Sequence, residues 1–410
     1  MRPESPISVS DTSAVAPASG RILPVLLRRC LRCGLPETYE TIEFDESEIC
    51  NICRQKEFRD GSIDWRNRKE QLDALVSEYR GKFEYDCIIP FSGGKDSTYT
   101  LQYLMAEYRL KPLVVQFNHG FMRPMLRENN ERTFRKLGVD VISFTPNWRV
   151  VKRLMLEALV RKGDFCWHCH TGIFSYPMHV ALKYNTPLIF WGEPSSEYTA
   201  YYDYQDDKIE EVDETRFNRF VNLGITAEDM AGMISGDFPL DPRDLTPYSY
   251  PPMRELRRLR YRSVCLGSFI PWDVKSNVEL IQRELGWQGD HVENMPYELY
   301  PYEKIECWMQ GVRDYIKYLK RGYGRVTQMT ALDLRNGRLE KAEAERLVEL
   351  HELNRRPPSL DLFLEYVGLT ENEFNAIVLK TVVPPHRPDF AAMQPGARMP
   401  DFDSWYRDAV

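Results

Sequence analysis

The sequence predicts an α/β protein with a parallel sheet, preceded by a four-cysteine module and followed by a mostly helical C-terminal region. Two observations carry this prediction. Short apolar runs typical of buried strands alternate with helical patterns, at a spacing typical of parallel sheets with helices on both faces. Two close pairs of cysteines precede the first of these runs. The 410 residues have the apolar and aromatic content of a globular protein, and their length favours more than one domain.

The first predicted strand–helix unit contains the most distinctive segment of the chain. Residues 86–91 (DCIIPF) form an apolar strand-type run, and residues 92–97 (SGGKDS) follow as a glycine-rich turn. Apolar residues then recur at helical spacing, at Leu101, Leu104, Met105 and Tyr108. A strand, a glycine turn and a helix N-terminus direct backbone N–H groups into the turn, so a phosphate is the predicted ligand. The common phosphate loop requires other residues where Ile89 and Asp96 stand, so this loop is of a different type.

Further strands are predicted along the same half of the chain. They cover residues 112–118, 139–144 and 187–193, with helical patterns between them, and residues 263–268 are also strand-like. Ligands of such sheets bind outside the carboxyl ends of the strands. This rule gathers the glycine turn and the strand-end residues on one rim, namely Asn118, Gly192 and Glu193. Glu193 is a candidate ligand for Mg²⁺ or a substrate, and a carboxylate that caps the next segment is an equal alternative.

Four cysteines near the N-terminus have the spacing of a zinc site. Cys30 and Cys33 form one C-x2-C pair, and Cys50 and Cys53 form another after sixteen intervening residues. Each pair can present two thiolates from one tight turn, and two pairs complete a tetrahedron around Zn²⁺. Four sulfur ligands leave no open coordination position, so the predicted zinc is structural.

A second cysteine pair, Cys166 and Cys169, follows a predicted helix over residues 149–161. Two cysteines do not complete a metal site, and Cys265 in the later strand-like run is the candidate third ligand. Three cysteines with one open position suit a [4Fe–4S] cluster, whereas His168 or His170 would favour zinc. Structural cysteines without any metal are an equal alternative.

Composition divides the chain into segments. The predicted order is a disordered Ser/Pro/Ala-rich tail (1–20), the four-cysteine module (21–62), the α/β domain (63–300) with a Tyr- and acid-rich insertion (195–250), the helical region (301–375), and an extended tail (376–410) with an anchor near Trp405. The net charge of −7 opposes a polyanionic partner, so nucleic acid is not expected. The basic run at 254–262 is interpreted as a solvated helix face.

No apolar stretch approaches the ~18 residues of a membrane span, and the N-terminus lacks the pattern of a signal peptide. Nine cysteines in a chain without such a signal favour metal ligands over disulfides. A cytoplasmic location is therefore expected.

The glycine turn resembles the Ser-Gly-Gly-x-Asp-Ser loop of the PP-loop ATP pyrophosphatase superfamily. The residues that match are Ser92, Gly93, Gly94, Asp96 and Ser97. From Cys30 to about residue 375, the chain resembles the N-acetyl sugar amidotransferase family of surface polysaccharide and nonulosonic acid biosynthesis. The likeness rests on the cysteine pairs with Phe44–Glu46 between them, the loop, the element 166–169 (CWHC), and the late runs 324–330 (GRVTQMT) and 334–339 (LRNGRL).

The resemblance implies a Rossmann-like PP-loop domain that binds ATP and Mg²⁺ and forms AMP and pyrophosphate. An acetamido oxygen of the sugar would be adenylated, after which ammonia displaces AMP and leaves an acetamidine. The implied pyrophosphate ligands are Ser92, Gly93, Gly94 and Ser97. Lys95 would stabilise the leaving group, and Asp96 would position Mg²⁺ or the loop. Arg325 and Arg335 are further candidates for phosphate or substrate contacts, with surface salt bridges as the alternative.

The resemblance also implies partners. The substrate would be an acetamido sugar, either nucleotide-linked or a nonulosonate. The chain offers no motif of a glutaminase, and the family draws ammonia from separate subunits that resemble the glutaminase and cyclase of imidazole glycerol phosphate synthase. The alternative function is a PP-loop sulfur transferase that thiolates tRNA or a small molecule through an iron–sulfur cluster on Cys166, Cys169 and Cys265.

Overall fold

In the computed structural model of the chain, residues 26–192, 209–234 and 240–396 are described, except for the side chains of residues 219 and 220. The predicted N-terminal tail, Glu193, much of the 195–250 insertion and Trp405 lie outside these residues. The helices are α1 (Asn51–Ser62), α2 (Trp65–Tyr79), α3 (Lys95–Tyr108), α4 (Pro124–Leu137), α5 (Trp148–Lys162), α6 (Trp167–Tyr184), α7 (Glu214–Arg216), α8 (Ala227–Met233), α9 (Met253–Leu259), α10 (Val274–Leu285), α11 (Gln310–Arg321), α12 (Arg325–Arg335), α13 (Lys341–His351), α14 (Ser359–Val367) and α15 (Glu371–Leu379). The strands are β1 (Cys87–Pro90), β2 (Pro112–Phe117), β3 (Asp140–Phe144), β4 (Leu188–Trp191), β5 (Arg262–Cys265), β6 (Arg355–Arg356) and β7 (Gln394–Pro395).

The main sheet has five parallel strands in the order β3-β2-β1-β4-β5. The central strands β1, β2 and β4 are buried along their whole length, which is why they are continuous apolar runs in the sequence. From β1 the chain adds β2 and β3 on one side, and then β4 and β5 on the other. The order therefore reverses between β1 and β4, and a crevice forms outside their carboxyl ends. The predicted α/β class and parallel sheet are confirmed.

Helices cover both faces of this sheet. Alternate residues of β1 point to opposite sides, as the strand period of two requires. Ile89 belongs to a core that includes Leu101 of α3 and Ile281 of α10, whereas Ile88 packs with Met178 of α6. The sheet is therefore the middle of three layers. No helix in the described part of the chain has the length and apolar character needed to cross a bilayer.

The four-cysteine module packs against helices of the C-terminal region. Its cysteines share a core with Tyr323 and Ala331, which lie beside and within α12. The rings of Tyr39 and Tyr323 are 5.1 Å apart, and Thr38 exchanges hydrogen bonds with Arg321. The module is therefore fixed to helices that lie 283 residues later in the sequence, as measured between Thr38 and Arg321.

Helices α11–α15 form a helical body. Within it, α11, α14 and α15 share a second large core with α5, whereas Val326 of α12 and Leu347 of α13 belong to the core of the sheet. Described residues beyond α15 continue along this body. Phe390 and Met393 pack against its core, and β7 pairs with β6 in parallel. The described part of the predicted C-terminal tail therefore lies against the body. The basic run at 254–262 forms most of α9, whose arginines are exposed as expected of a solvated face.

Candidate functional site

The glycine loop lies at the sheet crevice, between the end of β1 at Pro90 and the first residue of α3, Lys95. Its hydroxyl groups bond to its own backbone. The Gly93 N–H donates to Ser97 Oγ at 3.1 Å, and the Gly94 N–H donates to Ser92 Oγ at 3.2 Å. The two serine oxygens are 3.3 Å apart. This compact turn gathers hydroxyls, two amides and a helix N-terminus in one place, which is the set of donors that suits a phosphate.

Glycine is required at the loop for two separate reasons. Gly93 has φ +89°, a conformation that residues with a Cβ rarely adopt. A Cβ at Gly93 would also collide with the Asn130 side chain, and one at Gly94 would collide with the Glu306 carboxylate. The Trp287 indole N–H donates to the Gly93 carbonyl at 3.1 Å and fixes the turn from the other side. The loop is therefore closely enclosed by its neighbours.

Lys95 is buried and paired with two carboxylates. Its ammonium lies 2.9 Å from Asp96 Oδ2 and 3.1 Å from Glu303 Oε2. Glu303 also faces Arg325, with 3.6 Å between Oε1 and Nη1. Burial acts to raise the pKa of Glu303, but the nearby cations Lys95, Lys304 and Arg325 lower it overall. Glu303 is therefore an ionised buried carboxylate that joins the loop lysine to the start of α12.

Glu303 is the site residue that sequence reasoning missed. It lies about two hundred residues after the loop, outside any helix or strand, and no spacing or period of the sequence marks it. Arg325 was a candidate substrate contact with surface ion pairing as the alternative. The structure places its side chain at only 9% exposure, between Glu303 and Asp314, so the ion pairing is internal.

Of the other residues predicted at the rim of the sheet, one lies beside the glycine loop and another has a side chain that is hydrogen-bonded elsewhere. Gly192 follows β4 and abuts the first turn of α3, because a Cβ there would lie 3.1 Å from the Asp96 carbonyl oxygen. It therefore lies beside the loop. Asn118 follows β2, but its side chain is used locally: Nδ2 donates to Thr145 Oγ1 at 3.1 Å, and Oδ1 accepts from the Gly120 N–H at 3.1 Å. Glu193 lies outside the described residues.

The four N-terminal cysteines come together as the spacing predicts. All are buried, and their sulfur atoms lie within 4.8 Å of one another. The Cys30–Cys53 and Cys33–Cys50 sulfur distances are 3.9 and 3.7 Å. Zinc–sulfur bonds of ~2.3 Å in a tetrahedron require sulfur–sulfur edges of about 3.8 Å, so the observed distances fit. This cluster can hold a metal ion such as zinc.

A buried arginine lies beside the cysteine cluster. Arg335, at the end of α12, is close enough to Cys33 and Cys53 for their charges to raise its pKa, against the effect of burial. Its Nη1 has no hydrogen-bond partner among the described residues. Four thiolates around a divalent ion carry net negative charge, which a guanidinium offsets. Arg335 therefore serves the cysteine cluster rather than the glycine loop.

The second cysteine pair does not meet its predicted third ligand. Cys166 and Cys169 lie at the start of α6, beside Cys307 and Arg313, whose charges affect their pKa values. Cys265 belongs to the core between the sheet and α6, where its sulfur is 3.6 Å from Arg216. In the described part of the chain, only the four N-terminal cysteines form a metal-ligating group. The three-cysteine cluster is therefore not assembled.

Burial raises the pKa of the Cys166 and Cys169 thiols well above the ordinary cysteine value. Both side chains are consequently neutral thiols at physiological pH rather than nucleophilic thiolates. The neighbouring His168 is also buried, and desolvation lowers its pKa to about 4. The Cys166, His168 and Cys169 side chains at the start of α6 are therefore all neutral.

Together, the fold and the site define an α/β protein with a glycine loop at the strand-order reversal and a separate cysteine cluster. Residues 296–388 match the family model of the LPS biosynthesis protein WbpG-like C-terminal domain. The match includes Glu303 and the α11–α12 pair, and it supports a role in LPS biosynthesis.

A second similarity concerns a shorter segment. Over 133 residues the chain is 26% identical to the uncharacterized protein MJ1599 of Methanocaldococcus jannaschii. The aligned segment is 32% of this chain and 47% of that protein, so the chain spans about half the length of this curated relative.

Proposed function

We propose that this chain is an ATP-dependent amidotransferase that converts the acetamido group of an N-acetyl sugar to an acetamidine during LPS or nonulosonic acid biosynthesis. The acetamido oxygen attacks the α-phosphorus of ATP, and pyrophosphate leaves. Ammonia adds to the resulting imidate carbon, and AMP departs with the original acetamido oxygen. An amide is a poor electrophile, so the adenylation step is what makes ammonia addition feasible.

The single observation that carries this proposal is the loop itself. Its Ser-Gly-Gly-Lys-Asp-Ser sequence, which resembles PP-loops, stands at the crevice where a doubly wound sheet binds its ligand. The match of residues 296–388 to an LPS biosynthesis domain supports a sugar substrate. Kinase-type transfer is not favoured, because the loop lacks the Gly-Lys-Ser/Thr ending that such loops use for Mg²⁺.

Each loop residue has a role in this proposal. The amides of Gly93 and Gly94, with the hydroxyls of Ser92 and Ser97, bind the pyrophosphate oxygens. In the structure these amides donate to the serine hydroxyls of the loop, so phosphate oxygens would replace those internal acceptors. Lys95 neutralises charge that develops on the leaving pyrophosphate.

Asp96 is the proposed protein ligand for Mg²⁺, which prefers carboxylate and phosphate oxygens. Its side chain is 17% exposed, so one face remains accessible next to the loop. The four-cysteine cluster is proposed to hold structural zinc. It shares a core with Ala331 of α12, so it supports the helix that begins at Arg325.

Ammonia is proposed to come from separate glutaminase and cyclase-like subunits. A glutaminase needs an activated cysteine with a histidine base. Four of the described cysteines form the metal-ligating cluster, and desolvation raises the pKa of the other five thiols, so none is an activated thiolate. The sulfur-transferase alternative needs Cys265 beside Cys166 and Cys169, and it is not favoured because Cys166 and Cys265 pack in different cores.

The experiment is an assay of the purified chain with ATP, Mg²⁺, ammonium and a panel of acetamido sugars. We expect AMP rather than ADP, and a sugar product lighter by the difference between O and NH. Lys95→Ala and Asp96→Asn should each reduce AMP formation by roughly 100-fold or more, because both act on the developing phosphate charge. The exposed Lys82→Ala is the matched control and should retain activity. ADP as the product, or full activity in both loop variants, would refute the proposal.

A further inference from the structure

A cavity of about 270 Å³ lies between the four-cysteine module and the C-terminal helices. Tyr39 and Glu40 of the module form one wall, and Asp164, Leu223 and side chains of α11 and α12 form the rest. Small-molecule sites commonly occupy ~300–1,000 Å³. A cavity just below the lower end of that range suits one small molecule, or one group of it, rather than a macromolecule.

The charge of the cavity wall is opposite to that of the chain. Four cations and two acidic residues line it: Arg313, Lys317, Lys320 and Arg321, with Glu40 and Asp164. The chain as a whole carries a net charge of −7, so this positive region is a local feature. Cations in a concave wall of low dielectric concentrate their field on the contents of the cavity. The cavity therefore favours an anionic ligand.

Two of these cations already have hydrogen-bond or ion-pair partners within the protein. Lys320 donates to the carbonyl of Gly163 at 3.1 Å, and Arg321 Nε lies 3.2 Å from Glu40 Oε1. These contacts join the cavity walls to one another. Lys320 and Arg321 are therefore structural parts of the wall.

The other two cations keep unused donors. Arg313 and Lys317 are four residues apart on α11, so they lie on the same face of that helix. The ion pair of Arg313 with Asp164 is long, at 3.9 Å. Within the described residues, no group accepts a hydrogen bond from the Lys317 ammonium, which lies 5.7 Å from the Tyr323 ring centroid. Burial lowers the pKa of Lys317 to about 8, although Glu40 opposes this effect, so most of its charge remains at neutral pH.

The cavity also has an unused acceptor. Gln328 is 8% exposed, and its Nε2 donates to the Tyr39 hydroxyl at 3.2 Å. Its Oε1 is buried and has no hydrogen-bond partner in the part of the chain described. Buried amide oxygens are rarely left unpaired, and a ligand hydroxyl would satisfy this one. Unused cationic donors beside an unused acceptor fit an anionic molecule that also carries hydroxyl groups.

The cavity and the glycine loop approach each other through the start of α6. Cys169 lies within the electrostatic influence of Arg313 on the cavity side and of Glu306. The Glu306 carboxylate packs directly against Gly94 of the loop. Cys169 and Glu306 therefore connect Arg313 of the cavity wall to the loop.

We propose that this cavity binds the anionic group of the acetamido sugar, a carboxylate or a phosphate, through Arg313 and Lys317. Gln328 accepts a hydrogen bond from a hydroxyl of the same molecule. The inference rests on the proposed function, which supplies the acetamido sugar, and extends it by naming the residues that bind the anionic group of that sugar.

The test measures binding by the full chain without ATP, using three probes. N-acetylneuraminate carries a carboxylate, UDP-N-acetylglucosamine carries a diphosphate, and N-acetylglucosamine is neutral. We expect one anionic probe to bind at least about tenfold more tightly than the neutral one, and the stronger anionic probe identifies the group. Lys317→Met should remove most of this advantage, whereas Lys317→Arg should keep it. The exposed Lys341→Met is the matched control for loss of one positive charge.

Equal affinity for charged and neutral probes, absence of binding by all three, or no effect of Lys317→Met would overturn the cavity assignment. A thermal melt of each variant separates lost binding from lost folding. The proposed function fails separately. Charge-dependent binding without AMP formation from any sugar would leave the cavity assignment intact and refute the amidotransferase. If Lys317→Met forms AMP with an unchanged KM for the sugar, the amidotransferase proposal stands and the cavity assignment is refuted.

Discussion

At the scale of single residues, the candidate nucleotide site depends on the ion pair between Lys95 and Glu303. The loop lysine is only 3% exposed and Glu303 only 2%, so neither charge is compensated by bulk water. Each needs the other, because an unpaired charge in the protein interior is strongly unfavourable. Glu303 therefore acts as a positioning residue that holds Lys95 against the loop and ties it to Arg325.

Replacement of Glu303 by Gln should destabilise the protein by roughly 3–5 kcal/mol, because it leaves two buried cations with one partner fewer. Urea unfolding followed by circular dichroism measures the change. Glu298→Gln, at an exposed position in the same segment, should change the free energy of unfolding by less than ~0.5 kcal/mol. Equal stability of the two variants would mean that the buried ion pairs contribute nothing.

At the scale of elements, sequence reasoning located the strands of the sheet well and the tertiary contacts poorly. β1, β2 and β4 are buried apolar runs between turn residues, and their positions follow from local pattern alone. The four-cysteine cluster was equally predictable, since paired spacing encodes its geometry. Cys265 was misplaced because a single cysteine in a strand carries no spacing that reveals which face of the sheet it occupies. Glu303 was missed because it lies outside any helix or strand, so no period of the sequence indicates where its side chain points.

Because the cysteine module packs against α11 and α12, metal bound to it should stabilise those helices as well as the module. We expect about one zinc per chain, absent from Cys50→Ser. This variant should lose at least ~3 kcal/mol of stability, a fraction of the ~10–16 kcal/mol that structural zinc contributes in isolated zinc-finger peptides. Cys307→Ser, outside the cluster, should keep its zinc. Elemental analysis with denaturant unfolding measures both quantities, and an unchanged metal content in Cys50→Ser would refute the site.

A buried carboxyl group, that of Glu293, packs against the start of α14 and should make stability depend on pH. Glu293 accepts the Ser359 N–H at 2.8 Å, and burial raises its pKa from 4.5 to about 7 despite these hydrogen bonds. The folded state therefore holds a proton that the unfolded state has released. This contribution is complete below about pH 4.5 and is lost as pH rises through 7, by up to roughly 3 kcal/mol.

Glu293→Gln should remove that dependence, because an amide does not titrate in this range. The free energy of unfolding, compared at about pH 5 and about pH 8, should fall less in this variant than in the parent protein. Exposed Glu349→Gln should retain the full fall. A parent-like pH dependence in Glu293→Gln would show that another group is responsible.

At the scale of the whole molecule, three separate parts of the chain meet around one site. The sheet provides the loop, and the segment similar to LPS biosynthesis proteins provides Glu303 and Arg325. The cysteine module packs against α12, the helix that begins at Arg325. The cationic cavity lies among the last two parts and beside α6. None of these parts forms the site alone, which is why the arrangement was only partly predictable from local sequence.

The most direct test of the account follows the acetamido oxygen. A substrate labelled at that oxygen with a heavy stable isotope is incubated with the chain, ATP, Mg²⁺ and ammonium, and the AMP is analysed by mass spectrometry. Adenylation of the acetamido group predicts that the label is found in the phosphate of AMP, in an amount equal to the amidine formed. Unlabelled AMP, or label retained in the sugar product, would contradict the account.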